Sequence, residues 1–203
     1  MLIEDEGVIR PHFHRIDQFQ ILVGGRALFG KHEAEPVTVH YTDGYTPYGP
    51  LRPLGGSFTF FTLRALHNPG FFAMPGSKQE KELPTGRGLT VPAELRPGAA
   101  SPTRIEERDV IAPHSDGLSA RTLRLPPGAS FRPRGSAEGG GQYQLVVNGS
   151  LDDAGYELPA LSLIFLSADE ETSPLRAGRH GADVLLLQFP VDSTAAERVR
   201  AGG

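Results

Sequence analysis

The chain has no cysteine among its 203 residues. Disulfides and thiolate ligands are therefore excluded, and any bound metal would have to rely on histidine, carboxylate, amide or water. Nor is there an excess of positive charge. Lysine and arginine number 20 against 24 aspartates and glutamates, a net charge of −4, which gives no general attraction for nucleic acid or an anionic membrane. No apolar run approaches the roughly 20 residues of a membrane span. The opening Met1-Leu2-Ile3-Glu4-Asp5-Glu6 lacks the basic and apolar regions of a signal peptide. These absences set the expectation of a cytoplasmic protein with neither nucleic acid nor membrane as partner. Long amphipathic helices are missing too; the one short helix expected is 193–200, with Ser193 as N-cap. Glycine (25) and proline (18) are plentiful, as in a chain of many short strands joined by turns.

An internal repeat organises the rest. Gln18-Phe19-Gln20-Ile21-Leu22-Val23-Gly24-Gly25 matches Gln142-Tyr143-Gln144-Leu145-Val146-Val147-Asn148-Gly149, an offset of 142 − 18 = 124. The same offset pairs Thr38-Val39-His40-Tyr41 with Ser162-Leu163-Ile164-Phe165, Pro50-Leu51-Arg52 with Pro174-Leu175-Arg176, and Phe60-Phe61-Thr62-Leu63 with Val184-Leu185-Leu186-Leu187. Two copies of one all-β unit follow, at 1–75 and 104–192, with a Pro/Gly-rich crossover at 76–103 and a tail at 193–203. Strands are predicted at 8–14, 18–23, 26–32, 36–42 and 57–66, and again at 118–125, 141–147, 157–166 and 182–190.

The chemistry gathers before the first repeat segment. His12 and His14 are two apart, and residues i and i+2 of a strand share a face. Two imidazoles would then enter one space, and neutral imidazole is a common ligand for transition metals. The stretch His12-x-His14-x-x-x-Gln18, followed after six residues by Gly25, resembles the first motif of the cupin superfamily: two histidines, a glutamate and a glycine at this spacing, with Gln18 in the glutamate's place. The resemblance implies an all-β chain of two tandem double-stranded β-helix (jelly-roll) barrels, a bicupin, with metal ligands turned into the barrel mouth. The second cupin motif is partial. Pro47-Tyr48-Gly49-Pro50-Leu51-Arg52 keeps the proline and glycine but has Arg52 where a histidine is expected, and a guanidinium stays protonated and cannot ligate.

The ligand set carried over is His12, His14 and Gln18, with His40 on a nearby strand as a possible replacement for the missing histidine. One divalent transition metal (Fe, Mn, Ni or Zn) is the implied cofactor. Gln18 and Gln20 are candidate substrate-binding residues, and they equally suit a hydrogen-bonded pair in the barrel, since they recur as Gln142 and Gln144. Arg52 is a candidate anchor for an anionic substrate, although its recurrence as Arg176 equally suits a structural ion pair. The loop at 41–49 places Tyr41 as a binding residue and Tyr45 or Tyr48 as an acid; a packed turn is the alternative. Copy two has Ser136 and Glu138 at the histidine positions, so the first barrel is expected to hold the chemistry. Two functions stand side by side: a metal-dependent dioxygenase, isomerase or lyase, and a metal-free protein that binds a small organic molecule. A homodimer is expected because cupin barrels often pair through sheet edges.

Overall fold

Alternating apolar residues between glycine and proline turns produce an almost entirely β chain. The structure is a computed structural model, and it describes residues 1–3, 7–67 and 70–191. The expected helix at 193–200 lies outside the described residues. The chain divides into two units, Met1–Pro92 and Ala93–Val191.

The first unit contains β1 (Leu2–Ile3), β2 (His12–Phe13), β3 (Gln18–Gly24), β4 (Ala27–Phe29), β5 (His32–Ala34), β6 (Thr38–Thr42), β7 (Leu51–Pro53), β8 (Phe58–Leu63), β9 (Phe72–Ala73) and β10 (Gly88–Pro92). Strands β1-β8-β3-β6-β10 form one antiparallel sheet, β5-β4-β7 a second, and β2-β9 a short third pair. Its core joins Leu22, Phe29, Leu51, Phe58 and Phe60, and each buried aromatic contributes about 1.5–3 kcal/mol of apolar transfer energy.

The second unit contains β11 (Glu106–Ile111), β12 (Ser119–Leu125), β13 (Ser130–Phe131), β14 (Gln142–Asp153), β15 (Tyr156–Pro159), β16 (Leu163–Leu166) and β17 (Leu175–Gln188). They form one sheet, β11-β12-β17-β14-β15, with β13 paired to β17 and β16 to β14.

The repeat is kept at the level of strand register. Phe19 faces Leu63 and Gln20 faces Thr62; 124 residues on, Tyr143 faces Leu187 and Gln144 faces Leu186. Gln20 also faces His40 as Gln144 faces Ile164. Even the break in register recurs, between Leu22 and Gly24 and again between Val146 and Asn148. Gly25 (φ 73°) and Gly149 (φ 67°) follow those breaks in the left-handed region. A Cβ on Gly25 would overlap the backbone carbonyl of Ser57, and one on Gly149 that of Gly181, the residue 124 on from Ser57. Because backbone cannot retreat as a flexible side chain can, Gly25→Ala is expected to cost about 2 kcal/mol. A denaturation midpoint unchanged from the parent would contradict this.

The structure revises several sequence boundaries. The expected strand at 26–32 is a hairpin, β4 and β5, because Gly30 turns the chain at φ 64°. The expected strand at 157–166 likewise splits into β15 and β16. Within the supposed crossover at 76–103, β10 pairs along the whole of β6, so the first unit runs on to Pro92. Strands β7, β9, β11 and β13 were not expected from the alternation; β7, β9 and β13 are only two or three residues long.

The histidine equivalence in copy two also changes. Ile9 bridges Leu51, and Phe131 pairs with Leu175, the partner of Leu51 under the 124 offset. Phe131 therefore stands in for Ile9, an offset of 131 − 9 = 122. Carried three residues on, that offset places Arg134 where His12 would be, and Ser136 in the place of His14. Two residues are inserted before Gln142.

Candidate ligand site in the first unit

Strand pairing brings His12 to Tyr48. Their backbones exchange hydrogen bonds, His12 N to Tyr48 O at 3.1 Å and Tyr48 N to His12 O at 3.0 Å. The rings lie 4.4 Å apart, and the His12 and His14 rings meet edge-on at 5.0 Å. Both histidines are buried. The Nδ1–H of His12 donates to the carbonyl of Arg10 and that of His14 to the carbonyl of Gly70, each at 2.7 Å; a carbonyl can only accept, which fixes the proton on Nδ1 in both rings. Burial lowers the pKa of His12, the Arg10 carbonyl opposes that shift, and the charge of Arg64 adds to it. His12 is thus a neutral imidazole, with Phe71 stacked on it at 4.1 Å.

These rings open onto a cavity of about 440 Å³ whose wall includes Arg10, His12, His14, Gln20, Tyr48 and Arg64. Ile9, Phe60 and Phe71 supply its apolar part. Phe60, Thr62 and Arg64 follow one another at a period of two and all face the cavity. That alternation was the signal for Arg64, which the reading of the sequence missed in favour of Arg52. Arg64 donates from Nε to Gln18 Oε1 at 3.2 Å. Burial raises the pKa of Tyr48 far above its ordinary value, opposed by hydrogen bonds from Gln18 and Gln20 and by the charge of Arg64. The field of one guanidinium therefore reaches both His12 and Tyr48.

The other expected site residues separate. Gln18 and Gln20 are buried, and both donate from Nε2 to the Tyr48 hydroxyl, at 2.5 and 3.1 Å. Arg52 is exposed on β7 opposite Leu28 and does not line the cavity. Tyr41 is fully buried against Phe19, with its hydroxyl donating to Asp43 at 2.9 Å. Tyr45 packs with Phe13, and its hydroxyl meets Glu82 at 3.4 Å. Tyr41 and Tyr45 thus belong to a packed turn, and Tyr48 alone of the three faces the cavity. Neither Tyr41 nor Tyr45 lines this cavity.

The proposed metal ligands do not converge either. Among the described residues no three His, Cys, Asp or Glu side chains gather in a metal-binding arrangement. The Tyr48 ring stands 4.4 Å from His12 and 5.2 Å from His40, Gln18 is spent on Tyr48 and Arg64, and Arg64 opposes a second cation beside His12. As arranged, His12, His14, Gln18 and His40 do not fit a metal centre with three or four protein ligands.

His40 is buried beyond Tyr48, its Nδ1 at 2.8 Å from Thr90 Oγ1. Burial, with a smaller contribution from His32, lowers its pKa from 6.5 to about 4. The unfolded chain would then take up a proton below pH 6.5 that the folded chain refuses, so folding stability falls as pH drops from 6.5 towards 4. Urea denaturation should show His40→Leu losing less stability than the parent between pH 7.5 and pH 5. Equal losses would contradict a neutral buried ring.

No family model matches the chain, and no curated protein matches its sequence. Solved structures do match its fold. A salicylate 1,2-dioxygenase from Pseudaminobacter salicylatoxidans superposes with a TM-score of 0.56 at 13% identity, over 99% of this chain and 71% of that one. Quercetin 2,3-dioxygenase from Acinetobacter baumannii gives 0.52 at 13% identity over 97% and 71%. The protein YhaK from Escherichia coli gives 0.55 at 13% identity over 94% and 83%. The chain has a cupin-type fold. At these identities the likeness is one of fold. No described helix is long and apolar enough to cross a membrane.

Proposed function

We propose that the chain is a bicupin that binds a small organic carboxylate in the first-unit cavity without needing a metal. The observation that carries the reading is Arg64 on the cavity wall, whose positive charge bears on His12 and Tyr48. Arg10 adds a second guanidinium to the wall, and a guanidinium fork matches a carboxylate. Phe71, Phe60 and Ile9 offer an apolar wall to the rest of the ligand, which favours a planar or aromatic acid; two of the structural neighbours are named for salicylate and quercetin, both aromatic compounds. His12, neutral and with its proton on Nδ1, has its Nε2 lone pair to accept a proton from a bound molecule.

The test is calorimetric titration of benzoate into protein treated with EDTA. Binding that survives chelation, and weakens as salt is raised, supports the reading; no heat and no thermal shift would sink it. The second reading, a metal-dependent enzyme, is favoured by one feature: both histidines donate Nδ1–H to backbone carbonyls, the support that orients metal-ligating imidazoles. It predicts that adding Fe(II), Mn(II), Ni(II) or Zn(II) raises the melting temperature with one equivalent bound per chain.

A further inference from the structure

Of the three buried side-chain polar atoms without a hydrogen-bond partner among the described residues, one is Arg15 Nε, and the other two are Gln20 Oε1 and His40 Nε2. These last two belong to facing residues on neighbouring strands, in the row Thr62, Gln20, His40, Thr90 that crosses β8, β3, β6 and β10. Orphaned buried polar atoms are rare, and each carries a desolvation penalty that a partner would remove. Both of these are acceptors. The amide oxygen is one by nature. His40 Nδ1 lies 2.8 Å from Thr90 Oγ1; in the tautomer that donates Nδ1–H to this hydroxyl, Nε2 holds the lone pair.

Tyr48 packs against both residues. Its ring lies 5.2 Å from that of His40, and its hydroxyl is held by Gln20 and Gln18. It also lines two cavities. One is the Arg64 cavity; the other is a cavity of about 380 Å³ lined by His40, Thr90, Phe29 and Tyr48 itself. Its hydroxyl occupies the place that a ligand hydroxyl would take on the two glutamine amides.

We propose that Gln20 and His40 form an inner subsite for a pair of adjacent hydroxyl groups, uncovered when Tyr48 turns aside as a ligand enters from the Arg64 cavity. A diol supplies one donor for His40 Nε2 and one for Gln20 Oε1, while its acid end stays with Arg64. A cation is disfavoured there, because the Arg64 charge already acts on Tyr48. The proposal rests on the Arg64 cavity being the binding site, and it adds that hydroxylation of the ligand is read by a residue from the other side of Tyr48.

The experiment compares benzoate with 3,4-dihydroxybenzoate by calorimetry on the full chain and on His40→Leu. The parent should bind the dihydroxy acid at least tenfold more tightly than benzoate. His40→Leu should reduce that preference to about two- or threefold while leaving benzoate affinity unchanged. In the parent labelled with 15N, the unprotonated Nε2 resonance of His40 should move upfield with the dihydroxy acid and stay in place with benzoate. That measurement does not depend on the variant folding. Equal affinities in the parent, or a stationary Nε2 resonance at saturation, would overturn the subsite while leaving the carboxylate site standing. If neither acid binds, the carboxylate reading fails and the subsite with it.

Discussion

Asp43→Ala is expected to cost about 3 kcal/mol of folding stability, the low end of what removing one partner of a buried ion pair costs, since Arg87 keeps some solvent. Asp43 stands just past β6 and is 7% exposed. Its Oδ1 accepts from the Tyr41 hydroxyl and Arg87 Nη2, each at 2.9 Å; its Oδ2 accepts from Arg87 Nε at 3.1 Å and from the Arg87 backbone N–H at 2.7 Å. The Asp43 N–H in turn donates to the Arg87 carbonyl at 3.0 Å. Alanine would strand a guanidinium whose side chain is only 24% exposed, together with a buried phenol and a backbone donor. Asp43→Asn, which keeps acceptor and shape but not charge, should lose less. Because Arg87 leads directly into β10, which delivers Thr90 to His40, the alanine variant should also loosen the inner wall of the barrel. Chemical denaturation with an unchanged m-value would measure the loss; less than about 1 kcal/mol would mean that solvent already satisfies these groups.

Arg64→Leu is expected to weaken carboxylate binding by ten- to a hundredfold, the range for losing a charge-assisted hydrogen bond. Leucine keeps most of the volume and leaves Gln18 Oε1 to find another donor. Arg52→Leu is the matched control. It removes the same charge from β7, outside the cavity, and affinity should change less than twofold. If the two variants weaken binding equally, the effect is one of net charge, and Arg64 is not the anchor.

The repeat shows where a sequence speaks plainly. From Gln18 and Gln142 onward, chain alternation and strand pairing obey one rule, side chains at a period of two with a fixed partner across the ladder, so an ungapped 124-residue offset became an identical register in both units. Before Gln18 the rule lapsed. The path from Ile9 to Gln18 is irregular chain with isolated bridges around the two-residue β2, and two residues inserted in the second copy moved Arg134, not Ser136, into the place of His12. The strand β10 was hidden for a related reason. Gly88-Leu89-Thr90-Val91-Pro92 is short and set among prolines and glycines, and only its pairing along β6 makes it a strand.

The all-β, cupin-type fold and the 124-residue repeat were legible in the sequence alone, through alternation, spacing and a shared register. Which residues join His12 and His14 was decided by tertiary structure. Three tyrosines within eight positions look alike as text, yet Tyr41 and Tyr45 are packed away and Tyr48 sits between the rings of His12 and His40. Two arginines twelve apart look equally able to hold an anion, yet one faces solvent on β7 and the other continues the inward row of β8. The physical reason is that convergence depends on long-range register and side-chain volume, and neither is a property of neighbours along the chain.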